Sequence, residues 1–241
     1  MADIVQRWRV VYRRGHEAVG FAQRAELEAW EAALAASGLP VAMTAGSRSR
    51  PRLAMPPPLP AGLTGERELL DLTLVERRTT ADVRAGLGAV VPAGHEIVEL
   101  FDVWSGAPPL PAQVVAVDYA MTVRPVAGPA VLRAAVARIL AAPRLERVRP
   151  KSDRSTAYDL RHFILGVDFD EDEPEGHVFG MRLAVHQEQG TGRPDEVLAA
   201  IAEELGQPLE MTSGARTRIW TADESPIRSA VALGRTAPPR R

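Results

Sequence analysis

The chain has 241 residues, of which 46% are hydrophobic, 25% charged and 5% aromatic, with a formal net charge of −2. That is enough for one large domain or two small ones with real cores, and it argues against nucleic-acid binding through bulk charge. There is no cysteine, which excludes disulfides, thiolate zinc sites, cysteine nucleophiles and cysteine-held iron–sulfur clusters within this chain.

The opening MADIVQRWRVVYRRG lacks the apolar run of a secretory signal, and no stretch approaches the ~18 apolar residues of a membrane span. The sequence therefore predicts a soluble, cytoplasmic protein. With so few aromatics the core rests on Leu, Val, Ile and Ala, and Trp8, Trp30, Trp104 and Trp220 are each expected to anchor a packed layer. Basic charge is almost all arginine, with Lys151 the lone lysine.

Residues 5–13 read as a strand carrying Val5, Trp8, Val10 and Tyr12, followed by a turn at Gly15. Residues 25–37 read as a helix: Leu27, Trp30 and Leu34 recur at three and four residues with Glu26, Glu28 and Glu31 between them, and Gly38 supplies a stop. Then come an extended segment at 41–43, an Arg-rich turn at 46–52, an apolar-proline run at 53–60, and a strand at 68–75 with Leu70, Leu72 and Leu74 alternating. Thr79 or Thr80 can cap a short helix through Val83 and Leu87, and 96–104 closes the unit as a strand. The order is βαββαβ.

Proline and glycine crowd residues 105–114, marking a connector, and the pattern restarts. Residues 115–123 predict a strand, and 129–140 a helix led by Pro129. Residues 145–148 can pair with a strand at 157–167; an acidic turn, a strand at 178–185, a helix at 194–205 and a strand at 209–220 follow. This second half is again close to βαββαβ. The fold class is thus α+β: two tandem ferredoxin-like units, with two antiparallel sheets each backed by helices. The units span 1–106 and 107–222; residues 223–241 read as a disordered tail or a partner-binding arm.

Chemistry-bearing motifs are sparse. His16, His95, His162, His177 and His186 form no metal-ligand spacing, and the carboxylates between Asp168 and Glu175 lack a calcium-loop pattern, so neither predicts a metal site. No nucleophile elbow, P-loop or strand-linked glycine fingerprint occurs. Gly190–Leu198 leads glycines into a helix start, where Arg193 and free N–H groups can receive an anion, although Asp195 and Glu196 already complement the dipole. Two basic clusters remain, Arg48, Arg50 and Arg52, and Arg144, Arg147, Arg149, Lys151 and Arg154, which read either as solvated hairpins or as forks for phosphates.

The segments VGFAQRAELEAWEAALAASGLPVAM, AGSRSRPRLAMPPPLPAGLTGERELLDLTL, STAYDLRHFI, GRPDEVLAAI and RTRIW, in this order, make the chain similar to the uncharacterised radical-SAM-linked protein family over about residues 5–221. Where that family commonly has Phe-Leu-Ser-His-Leu-Asp, this chain has Phe21 to Glu26, with Arg24 at the histidine. Where the family has Gly-Phe-Asn-Pro-His-Pro, it has Gly46 to Pro51, with Arg50 at the histidine. Arginine stays protonated and cannot act as a base, but it can hold an anion.

The resemblance implies association with a cobalamin-type radical SAM enzyme. Iron–sulfur cluster, S-adenosylmethionine and cobalamin are expected in the partner, and no cofactor in this chain. The expected function is a non-catalytic accessory protein that binds RNA or a ribonucleoprotein substrate, including ribosomal components. Arg24, Arg48, Arg50 and Arg52 would form one anion-contacting surface, and Arg149, Lys151, Arg154 and Arg193 a second. The alternatives are an RNA-modifying or RNA-processing enzyme, with Asp118, Tyr119 and Asp159 as first candidates, and a protein–protein adaptor that buries 53–60 against its partner.

Overall fold

Trp8, Val10 and Tyr12 are all buried, and this period of two builds β1 (Gln6–Arg14). It is the first element of a computed structural model that describes residues 6–124, 127–151, 154–170 and 176–224, with the backbone alone at 149–151, 154, 155 and 170. The acidic turn at 171–175 and the tail from 225 lie outside the described residues.

In the first half α1 (Gln23–Ala36) is followed by the short β2 (Leu53–Ala54), β3 (Thr64–Leu74), α2 (Thr80–Gly88) and β4 (His95–Val103). Thr79, the first of the two candidate threonines, caps α2 reciprocally. Its hydroxyl accepts from the Asp82 N–H at 3.2 Å, and the Asp82 carboxylate accepts from the Thr79 N–H at 3.0 Å. Trp30, Ala33 and Leu34 of α1 and Val83 and Leu87 of α2 pack on Trp8, Val10, Tyr12, Leu70, Leu72 and Leu74. Both helices thus cover one face of the β1–β3 pair.

The second half contains α3 (Leu110–Gln113), β5 (Val114–Val123), α4 (Pro129–Ala141), a hairpin of β6 (Glu146–Lys151) and β7 (Arg154–Asp159), β8 (Ile164–Asp170), β9 (His177–His186), β10 (Gly190–Thr191), α5 (Pro194–Leu205) and β11 (Met211–Thr221). Proline opens α4 and α5, where the missing N–H costs nothing. Gly206, at φ 69°, takes the left-handed conformation that ends α5. Leu132, Val136, Val197 and Ile201 from these helices pack with Val117, Tyr119, Met121, Phe179 and Leu183 from the strands.

Three expectations are corrected. The two halves do not keep separate sheets: the main sheet has nine strands drawn from both, in the order β10-β9-β5-β11-β3-β1-β4, with β2 on β3 and β8 on β9, and only the β6–β7 hairpin pairs apart from it. The halves join through a short parallel pairing of β11 with β3, Ala215 opposite Thr64 and Arg216 opposite Gly65, while the other pairings are antiparallel. The expected single strand at 157–167 is broken by a 3-10 turn at Leu160–Phe163, because the Asp159 carboxylate accepts from the Arg161 N–H and bends the chain. Trp104 anchors no packed layer; it lies beyond the end of β4 and is 77% exposed. The result is a mixed α+β fold with one large, mostly antiparallel sheet backed by helices.

Candidate anion-binding surface and buried junction

The first arginine cluster converges on α1 and β2. Residues 44–50 form a closed turn in which the Thr44 N–H donates to the Arg50 carbonyl at 2.8 Å and the Thr44 hydroxyl accepts from the Arg50 N–H at 3.1 Å, leaving Arg48 exposed at its tip. Arg50 reaches Glu31 at 3.5 Å and Arg24 reaches Glu28 at 2.9 Å. Positions 24, 28 and 31 are one and two turns apart, so both arginines are held along one face of α1. Exposed pairs of this kind contribute little to stability, so either guanidinium can exchange its carboxylate for a phosphate.

Arg52 is fixed through its backbone: its N–H donates to the Ala42 carbonyl at 2.7 Å, and its own carbonyl accepts from the Thr73 hydroxyl at 3.1 Å. Its side chain lines a cleft of about 220 Å³ with Arg7, Leu53, Ala54, Asp71, Thr73 and Ser105. Across β2, Arg24 lines an open depression of about 400 Å³ with Gln23, Leu27, Leu53 and Met55. Two cationic hollows therefore flank one short strand. Arg7, which the sequence reading did not single out, holds the connector: its guanidinium donates to the carbonyls of Trp104 (2.7 Å), Ala107 (2.6 Å) and Pro108 (3.1 Å).

Of the second proposed surface, only the Arg193 side chain lies within the described residues. Arg193 folds back on its own helix, donating to Asp195 at 2.6 and 3.2 Å. Arg144 pairs with Glu146 and Arg147 with Glu203. The side chains of Arg149, Lys151 and Arg154 lie outside the described residues.

Where the halves meet, the structure buries a group of charged residues. Arg216 and Glu68 are 1% and 2% exposed. Arg216 Nε donates to Glu68 Oε1 at 2.7 Å, a second contact joins Nη2 to Oε2, and Nη1 donates to the Pro57 carbonyl at 2.9 Å. Burial opposes the Arg216 charge, but the Glu68 carboxylate overrides it and keeps the guanidinium protonated. Gly65 permits this approach, since a Cβ there would fall 2.5 Å from Glu68 Cγ.

Beside this pair the Tyr12 hydroxyl donates to Glu26 Oε1 at 2.7 Å, Arg14 lies 3.0 Å from Glu26 Oε2, and His95 Nε2 lies 3.5 Å from Oε1. Burial raises the Glu26 carboxyl, but His95, Tyr12 and Arg14 together outweigh it and hold the group below the ordinary carboxylate value. Burial, followed by the Glu68 and Glu26 charges, pushes the Tyr12 phenol well above its ordinary value. A cavity of about 10 Å³ remains under residues 55–59, room for about one water.

The catalytic candidates separate. Asp118 accepts two hydrogen bonds from Arg182 across β5 and β9, at 2.7 and 2.8 Å. Asp159 caps the 3-10 turn and accepts from the Leu145 N–H at 2.8 Å. Tyr119 is buried at the junction, and burial raises its phenol. His162 and His186 stack at 4.7 Å, and burial, with the neighbouring imidazole, lowers His186. Among the described residues no three His, Cys, Asp or Glu side chains converge as a metal site, and no helix is long and apolar enough to cross a membrane.

Compared with known proteins, residues 7–194 match the model of a family described as "Uncharacterized protein conserved in bacteria (DUF2344)". No curated protein matches the sequence. Among solved structures, a chain of the crystal structure of a Cbf5-Nop10-Gar1 complex aligns at 11% identity and a TM-score of 0.48, covering 89% of this chain and 50% of that one. This chain therefore spans half the length of that protein.

Proposed function

The chain belongs to the DUF2344 family of uncharacterized proteins conserved in bacteria, and from that premise we propose that it is a non-catalytic accessory protein of a cobalamin-type radical SAM enzyme that binds an RNA or ribonucleoprotein substrate. The ordered segments shared with radical-SAM-linked proteins support the linkage, and the lack of cysteine is compatible with a partner that holds the cluster. We read each half as a ferredoxin-like unit. The strand orders β4-β1-β3-β2 and, with the β6–β7 hairpin and β10 set aside as additions, β11-β5-β9-β8 are each 4-1-3-2 and support that reading.

One observation carries the binding assignment: Arg24 and Arg52 line hollows on either side of β2, with Arg48 exposed on the turn that leads into it. Guanidinium groups in this arrangement can fork onto successive phosphates of a single strand. The net charge of −2 does not oppose this, because the positive charge that matters is local.

The alternatives find less support. Asp118 and Asp159 are engaged in structural contacts, and Tyr119 is buried beside Arg216, out of reach of a large substrate. The adaptor reading expected 53–60 to be buried against a partner, yet within that run the Pro57 carbonyl accepts from Arg216 of the same chain.

The test is a tagged pull-down from the source cells with and without nuclease, identifying protein and nucleic acid. Recovery of a radical SAM protein together with protected RNA is the expected result. Protein partners without RNA would overturn the RNA assignment, and RNA without a radical SAM protein would overturn the linkage.

A further inference from the structure

The sheet ends at β4: β1 pairs with one side of it, and among the described residues no strand pairs with the other. Its outward N–H and C=O groups form a ready template for another strand. No β4 residue is wholly buried, although the His95 side chain turns inward to Glu26, and Phe101 is 46% exposed. The opposite end of the sheet is protected differently, since β8 carries a register irregularity between Ile164 and Gly166 and β10 has only two residues.

Trp104 follows β4 directly. It is 77% exposed, yet its backbone is held by Arg7 at 2.7 Å. Its ring lies against Gly106, where a Cβ would fall 2.5 Å from a ring carbon. A fixed, exposed indole offers a partner a large contact area at small entropic cost.

Charge selects the occupant. β4 carries Glu96, Glu99 and Asp102 and no lysine or arginine. Arg13 and Arg67 reach Glu96 and Glu99 in half-exposed pairs, and Asp102 accepts from the neutral Gln6 amide at 2.9 Å. Antiparallel pairing of two copies about Glu99 would set Glu96 opposite Asp102 twice, and like charges directly opposed are destabilising.

We propose that β4 and Trp104 form a docking edge for an extended segment of a partner protein in which basic and apolar residues alternate, added as a further strand to the sheet. The assignment stands on β4 and Trp104 and does not depend on RNA binding.

The probes are two acetylated peptides of about twelve residues, one alternating Arg with Val and the other Glu with Val, added to the full chain while backbone hydrogen exchange is followed. The basic peptide is expected to slow exchange across His95–Val103 by about tenfold or more, and the acidic peptide to leave it unchanged. Trp104→Ala, at an exposed position that leaves the fold intact, should weaken the basic peptide about tenfold. The pair Glu96→Arg and Asp102→Arg should reverse the preference between peptides. The proposal is overturned by equal or absent protection from the two peptides, or by binding indifferent to Trp104→Ala. It is also overturned if protection rises with protein concentration alone, which would assign the edge to a second copy.

Discussion

Replacing Arg216 by methionine tests whether the buried ion pair at the junction holds the two halves in one sheet. The substitution leaves the Glu68 carboxylate, itself 2% exposed, without its cation, and removes the donor to the Pro57 carbonyl. Breaking a buried pair by removing one partner costs about 3–5 kcal/mol. At about 2–4 °C per kcal/mol for a chain of this size, thermal unfolding should shift down by roughly 6–20 °C. The double variant Glu68→Leu with Arg216→Met removes both charges and should recover most of the loss, since apolar replacement of a whole buried pair is often neutral or stabilising. Urea and thermal unfolding followed by circular dichroism give both values and their coupling. A loss below about 1 kcal/mol, as for an exposed pair, or a double variant as unstable as the sum of the singles, would refute the reasoning.

Two further predictions concern the first half. Glu26 titrates lower in the folded chain than an ordinary carboxylate, so its stabilising contribution is present above the unfolded value of about 4.3 and is lost as pH falls through the lower folded value. Glu26→Gln should flatten the acid limb of stability against pH, and an unchanged limb would contradict the assignment. Thr79→Ala removes the hydroxyl of a reciprocal cap and should cost about 1 kcal/mol in urea unfolding; a loss of a few tenths would mean that the cap contributes little.

Much of the element order is legible in the sequence because local signals carry it. Pro129 and Pro194 open their helices, Gly206 ends one, and Thr79 with Asp82 starts another. The joining of the sheets is not legible, because Arg216 meets Glu68 across 148 residues and no local pattern specifies that pairing. The buried charges did leave a trace. Glu68 is in phase with Leu70, Leu72 and Leu74, and Arg14 with Trp8, Val10 and Tyr12, so a period of two places each on the core face. Glu26 likewise precedes Trp30 by four residues on the inner face of α1. A charge in phase with the core is the readable signal of this junction, and it lies outside the basic clusters. Trp104 misled for the opposite reason: its size suggests a core, but it lies past the end of its strand.

The arginines around β2 remain the centre of the functional account, and their test is a salt titration. Binding of a labelled single-stranded RNA to the full chain should weaken linearly in log–log form as salt rises. The triple reversal Arg48→Glu, Arg50→Glu and Arg52→Glu should lower affinity about tenfold or more at low salt and reduce the slope by about two to three charges. Affinity and slope unchanged by that reversal would contradict the account and return these arginines to the role of solvated turns.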